Sequence, residues 1–152
     1  LHAVGKIALP AHVKVPRKLT DEEFAEMKTH TVRGERILRD APALASILPA
    51  VRSHHERWDG RGYPDGIASE EIHPFARILA VADSFDAMTT DRPYREGFSL
   101  EHALQEIRSN IGTMYWRDAA EAFLTAFEAG ELELAARTRA DQALYAGFRG
   151  IG

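Results

Sequence analysis

Apolar residues recur three and four positions apart through nearly the whole chain, and the repeat is broken only where Gly or Pro falls. That period belongs to helices packed through one face, and no segment reads as a confident strand. The expected fold class is therefore an all-α bundle. Thr20 and Glu23 stand at capping-box spacing with Asp21 and Glu22 between them, so a helix is expected to begin there. Phe24, Met27, His30, Thr31, Gly34, Ile37 and Leu38 form its inward stripe, and Pro42 closes the segment. A second helix is expected from about Ala43 to Glu56, with Leu44, Ile47, Leu48, Val51 and His55 inward and a kink or division at Pro49. Gly60, Gly62, Pro64 and Gly66 mark a loop between Asp59 and Pro74. Further helices are expected from about Phe75 to Thr89, from the Ser99 cap to Asn110, and from Arg117 to Ala129, where Gly130 stops the last. One domain is drawn at residues 1–130, with residues 131–152 as a C-terminal helical tail.

Composition narrows the classes of function. A length of 152 residues suits one compact domain, and no apolar run approaches the ~20 residues that span a bilayer. No membrane contact is therefore expected of this domain. A net charge of -4 argues against DNA as a partner, although a local group of arginines can still grip a small phosphate ligand. The absence of cysteine excludes disulfides, thiolate metal sites and cysteine nucleophiles, and it fits a cytoplasmic location. Leu1 stands where a Met would begin a protein and no signal-like segment follows, so the chain is expected to start partway through a longer protein.

Among the seven histidines, several stand on apolar helix faces. His30 lies on its stripe, His54 and His55 are adjacent near the end of theirs, and His2 ends a short apolar stretch. Asp83 directly follows Leu79-Ala80-Val81-Ala82. A bundle can bring one or two ligands from each helix to a shared interior point. Imidazole and carboxylate without thiolate suit iron, manganese or zinc in a hydrolytic site. Taken singly, each residue has a plainer reading: a histidine on an apolar face is more often a satisfied core or surface residue, and an aspartate there hydrogen-bonds a neighbouring helix end. The combination is what points to a metal.

The run His54-His55-Glu56-Arg57-Trp58-Asp59-Gly60-Arg61-Gly62-Tyr63-Pro64-Asp65-Gly66 resembles the HHE-x-W-D-G-x-G-Y-P-x-G signature of HD-GYP domains. Leu1-His2-Ala3-Val4-Gly5-Lys6-Ile7 is similar to the LHDIGKI block that precedes it in that family. The segments Lys18-Leu19-Thr20, Met27-Lys28-x-His30-x-x-x-Gly34, Ala76 to Asp83 and Asp91-Arg92-Pro93-Tyr94-Arg95 match further blocks in order. The likeness covers roughly residues 1–127. It implies an HD-domain-like helical bundle with a binuclear or trinuclear divalent metal centre, commonly iron, with manganese as the other candidate. The reaction implied is hydrolysis of cyclic di-GMP to pGpG or onward to GMP. The implied ligands are His2, His30, His54, His55 and Asp83, so Asp83 and Lys6 carry the catalytic roles, Lys6 facing the scissile phosphate. Arg92 and Arg95 are implied to grip phosphate, a task that suits guanidinium forks; the plain alternative is two surface arginines. Tyr63 either stacks on or hydrogen-bonds a guanine, or its loop is purely structural. Trp58 reads as a core anchor. GGDEF-type diguanylate cyclases are implied partners, and a homodimer is compatible with the family.

Three departures stand out. Ala3 occupies the position of the family aspartate that bridges two metals, and a methyl group cannot ligate. Gly112-Thr113-Met114-Tyr115-Trp116-Arg117 replaces Gly-x-x-Phe-Asp-Pro, and the linker from Pro10 to Arg17 is compressed. The helices that usually precede His2 are missing, which should leave apolar surface to be covered by further sequence or another subunit. Two functions follow: a metal-dependent phosphodiesterase impaired at Ala3, or an inactive module that binds cyclic di-GMP or a protein partner. A generic mononuclear HD phosphohydrolase is disfavoured by the Gly-Tyr-Pro loop.

Overall fold

The capping box expected at Thr20 is formed. The Glu23 amide donates to the Thr20 hydroxyl at 3.2 Å and the Thr20 amide donates to the Glu23 carboxylate at 2.9 Å, starting α1 (Asp21–Lys28). The computed structural model describes residues 2–15, 17–91 and 96–132, with His2 described by its backbone alone. The single helix expected from Thr20 to Pro42 is divided at Thr29, and α2 runs from His30 to Leu38. Thr29 donates both its amide and its hydroxyl to the Glu26 carbonyl, at 3.0 and 2.7 Å, which tightens the last turn of α1 and re-aims the chain. The stripe changes accordingly: His30, Thr31, Gly34 and Leu38 are buried, whereas Phe24 and Ile37, expected inward, are 47% and 48% exposed.

Pro49 divides the next segment as anticipated. A 3₁₀ helix, η3 (Pro42–Ile47), gives way to α3 (Leu48–Ser53), and Pro49 falls in the first turn of α3, where a missing N–H costs nothing. α3 stops at Ser53, short of the expected Glu56, so His54, His55 and Glu56 occupy the turn and loop beyond it. The Gly-rich segment is irregular apart from one 3₁₀ turn, η4 (Ser69–Glu71). Then come α4 (Pro74–Thr89), α5 (Leu100–Ser109) and α6 (Arg117–Glu128), the Ser99 hydroxyl capping α5 by accepting the His102 amide at 3.2 Å. The chain opens with η1 (His2–Ala8) and η2 (Ala11–Val13). Among the described residues there is no strand, only an isolated bridge between Ile111 and Tyr115.

η1 packs on α2, α2 on α3, α3 on α4 and α4 on α5. Ala50, Ile72 and Ala76 close the α3–α4 junction beneath Ile67 and Leu79. The η1–α2 crossing depends on glycine: a Cβ on Gly5 would overlap the His30 carbonyl, and one on Gly34 would press on Val51 at 3.2 Å. Ile7, Phe75 and Ile78 are left exposed. One compact unit extends to Ala120 and a second begins at Glu121. The tail expected at 131–152 lies outside the described residues from 133 onward. No described helix is long and apolar enough to cross a membrane.

Candidate metal centre

Two imidazoles face each other in the interior. His30, at the start of α2, and His54, just past α3, are each 1% exposed, and their Nε2 atoms are 3.4 Å apart. In both rings Nδ1 lies 2.7 Å from a carbonyl three residues back, Met27 for His30 and Val51 for His54. A carbonyl only accepts, so each Nδ1 carries a hydrogen and each ring turns its Nε2 inward. Two ring nitrogens held 3.4 Å apart and turned toward one another are placed to share one cation. Carbonyl-fixed tautomers of this kind are how proteins orient metal-binding histidines.

His55 completes the donor set. A ring nitrogen from each of His30, His54 and His55 lies within 4.8 Å of the others. Its Nε2 is 4.0 Å from the Asp83 carboxylate on α4, whose side chain is largely buried. Burial lowers the His55 pKa to about 3, helped by His54, His30 and Lys6 and opposed by Asp83. The ring is thus neutral at physiological pH, the form that ligates. Lys6 is exposed on η1, yet its charge is felt at His55. Ala3 lies half-buried on the same 3₁₀ helix and offers no donor. These nitrogen and oxygen donors, brought together without sulfur, fit a divalent transition metal.

The Gly-rich loop folds back over the donors. The Tyr63 amide donates to the His55 carbonyl at 3.2 Å, and the Tyr63 ring stacks on the His55 ring with centroids 4.8 Å apart and planes 28° from parallel. Burial, and secondarily Asp83, pushes the Tyr63 hydroxyl pKa up, so the phenol stays protonated. Gly62 admits this fold because a Cβ there would overlap the backbone of His55, Glu56 and Arg57. The Lys28 ammonium lies over the Phe24 and Tyr63 rings, 4.8 and 5.6 Å from their centroids. Arg52 straps the outer edge of the loop, gripping Asp65 through two bonds of 2.7 Å and Glu35 at 2.8 Å. Trp58 lies against Trp116 at 6.4 Å, with the Arg77 guanidinium over both rings.

Of the residues expected at the site, His30, His54, His55 and Asp83 converge, with Tyr63 stacked on one of them. The His2 side chain, Arg92 and Arg95 lie outside the described residues. Sequence reasoning passed over Glu56, Arg52 and Lys28. Glu56 carried a signal, an acid directly after paired histidines and before a Gly-rich loop. Arg52 and Lys28 carried none that distinguished them from surface cations.

Residues 1–119 match the HD domain family. A cyclic di-GMP phosphodiesterase of Thermotoga maritima is 47% identical over 127 residues, covering 82% of this chain and 34% of that protein. The cyclic di-GMP phosphodiesterase response regulator RpfG of Xanthomonas campestris pv. campestris is 41% identical over 128 residues, with the same shares. The 3'3'-cGAMP-specific phosphodiesterase 3 of Vibrio cholerae is 34% identical over 114 residues, 74% of this chain and 25% of that one. The chain therefore spans about a third or less of the length of these relatives. A crystal structure of a cyclic GMP-AMP specific phosphodiesterase of V. cholerae superposes with a TM-score of 0.62 at 23% identity, covering 78% of this chain and 29% of that one, a likeness of fold. With the converging histidines and the loop from His54 to Gly66, this chain belongs to the HD domain family, in its HD-GYP branch.

Proposed function

We propose that this chain is the hydrolytic part of a bacterial signalling protein, a metal-dependent phosphodiesterase that opens cyclic di-GMP to pGpG or GMP. The observation that carries the reading is the pair of carbonyl-fixed imidazoles whose Nε2 atoms face each other at 3.4 Å beside His55 and Asp83. His2, His30, His54, His55 and Asp83 would hold the metal, iron first and manganese second. When bound, a pair of such ions supplies Lewis-acid activation of a phosphodiester and of the attacking water. The protein's own residues do the rest. His30 and His54 keep their Nε2 atoms inward through the Met27 and Val51 carbonyls. Lys6 presents a cation to the negative charge that grows on the phosphoryl oxygens. Arg92 and Arg95 grip the phosphates, and Tyr63 shields one face of the centre. The domain works in the cytoplasm without DNA, alone or as a homodimer, with GGDEF-type cyclases as partners.

A second reading rests on Ala3. With a methyl group where the branch has a bridging carboxylate, the chain is impaired, or binds cyclic di-GMP or a partner without turnover. One experiment separates the two: incubation of purified protein with Mn²⁺ or Fe²⁺ and cyclic di-GMP, followed by chromatography for pGpG. The hydrolase reading expects product that a chelator abolishes, and Ala3→Asp should raise metal content and rate together. Stoichiometric nucleotide binding without product, in both wild type and Ala3→Asp, would leave only the binding module.

A further inference from the structure

His55 differs from the other two histidines in how its ring is held. Backbone carbonyls fix His30 and His54, whereas among the described residues no carbonyl holds the His55 ring, which rests against the face of Tyr63 instead. The loop carrying Tyr63 is in turn fastened from inside. Glu56 is 3% exposed, and its Oε1 accepts the amides of both Asp65, at 2.6 Å, and Gly66, at 3.1 Å. Two consecutive amides thus converge on one oxygen, with Gly66 at a φ of 67°. The other oxygen, Oε2, is buried with no hydrogen-bond partner among the described residues, so the carboxylate is placed for the loop rather than for a second charge.

We infer that Glu56 is a positioning residue of the metal centre: by anchoring the far limb of the Gly-Tyr-Pro loop, it holds Tyr63 flat against His55 and so sets the orientation of that ligand. This rests on the metal-binding reading above. The anchor is distinct from simple attachment of the loop, because Arg52 already ties Asp65 from outside. Loss of Glu56 therefore leaves the loop tethered at Asp65 and at the Tyr63 amide, and slackens only the limb that presses the tyrosine ring on His55.

The test is Mn²⁺ affinity, measured by calorimetry on wild type, Glu56→Ala, Glu56→Gln, Tyr63→Leu and the Glu56→Ala/Tyr63→Leu double variant, with circular dichroism as the check on folding. Partners behind a metal ligand are worth about 10–100-fold in affinity, and a loss of that size is expected for Glu56→Ala. Glu56→Gln, which keeps an acceptor oxygen, should recover most of it. Tyr63→Leu should weaken binding comparably, and the double variant should bind no more weakly than the worse single. Folded Glu56→Ala with wild-type affinity overturns the inference, and so do losses that multiply in the double variant. Should Glu56→Ala not fold, the same cycle is run with Glu56→Asp, whose shorter arm draws the acceptor away from the Asp65 and Gly66 amides, and wild-type affinity or multiplying losses again count against it. Failure of wild type itself to take up Mn²⁺ is a different pattern and removes the metal reading together with this one.

Discussion

His55 makes the site sensitive to acid before any ion is bound. Its folded pKa lies at about 3 against an ordinary value of 6.5, chiefly through burial. Between those values the unfolded chain takes up a proton that the folded chain refuses. The stability of the metal-free protein is therefore fully present above about pH 6.5 and drains away as the pH falls toward 3. Urea midpoints of chelator-treated protein should decline from pH 7 to pH 4, and His55→Gln should flatten the decline; a midpoint indifferent to pH in that window would contradict the burial. At this scale the sequence was informative about which polar groups meet, since His30, His54, His55 and Asp83, picked out as polar groups on apolar faces, lie together. It was silent about the residues that steady them. Glu56 acts on backbone amides and Lys28 on ring faces, and both depend on the path of a loop that no periodicity encodes.

Elements meet here through glycine as much as through apolar side chains. η1 approaches α2 so closely that Gly5 has no space for a methyl group next to the His30 carbonyl. Gly5→Ala should therefore force the two apart, at about 1–3 kcal/mol by the usual scale of overpacking. Because the displaced carbonyl belongs to His30, Mn²⁺ affinity should fall along with the urea midpoint. Normal values of both would show that the crossing is looser than drawn. The capping box, the Ser99 cap and the division near Pro49 were readable because each is a local signal with a local cause. The break at Thr29 and the early end of α3 were not readable. The first comes from a threonine bonding back to Glu26, the second from a turn that lets neighbouring histidines both face inward, which consecutive helix positions do not.

At the scale of the molecule, the donors join segments far apart in the chain: α2, the turn after α3, and α4. A cation bound only by the folded arrangement stabilises it by mass action, about 2.7 kcal/mol at a hundred-fold excess over its dissociation constant. Melting with Mn²⁺ should accordingly occur several degrees above melting with chelator, and coincident transitions would mean that the three segments do not share an ion. The all-helical class was evident from periodicity alone, whereas the order of packing, η1 on α2 on α3 on α4, rests on contacts between surfaces that the sequence does not pair. The chain's two tryptophans have an optical consequence. Trp58 and Trp116 stand together under the Arg77 guanidinium, so all indole fluorescence arises from one spot, where the loop segment that leaves His55 carries Trp58. Ion uptake that shifts this segment should change the emission of the unlabelled protein, giving a dye-free signal from the rim of the centre.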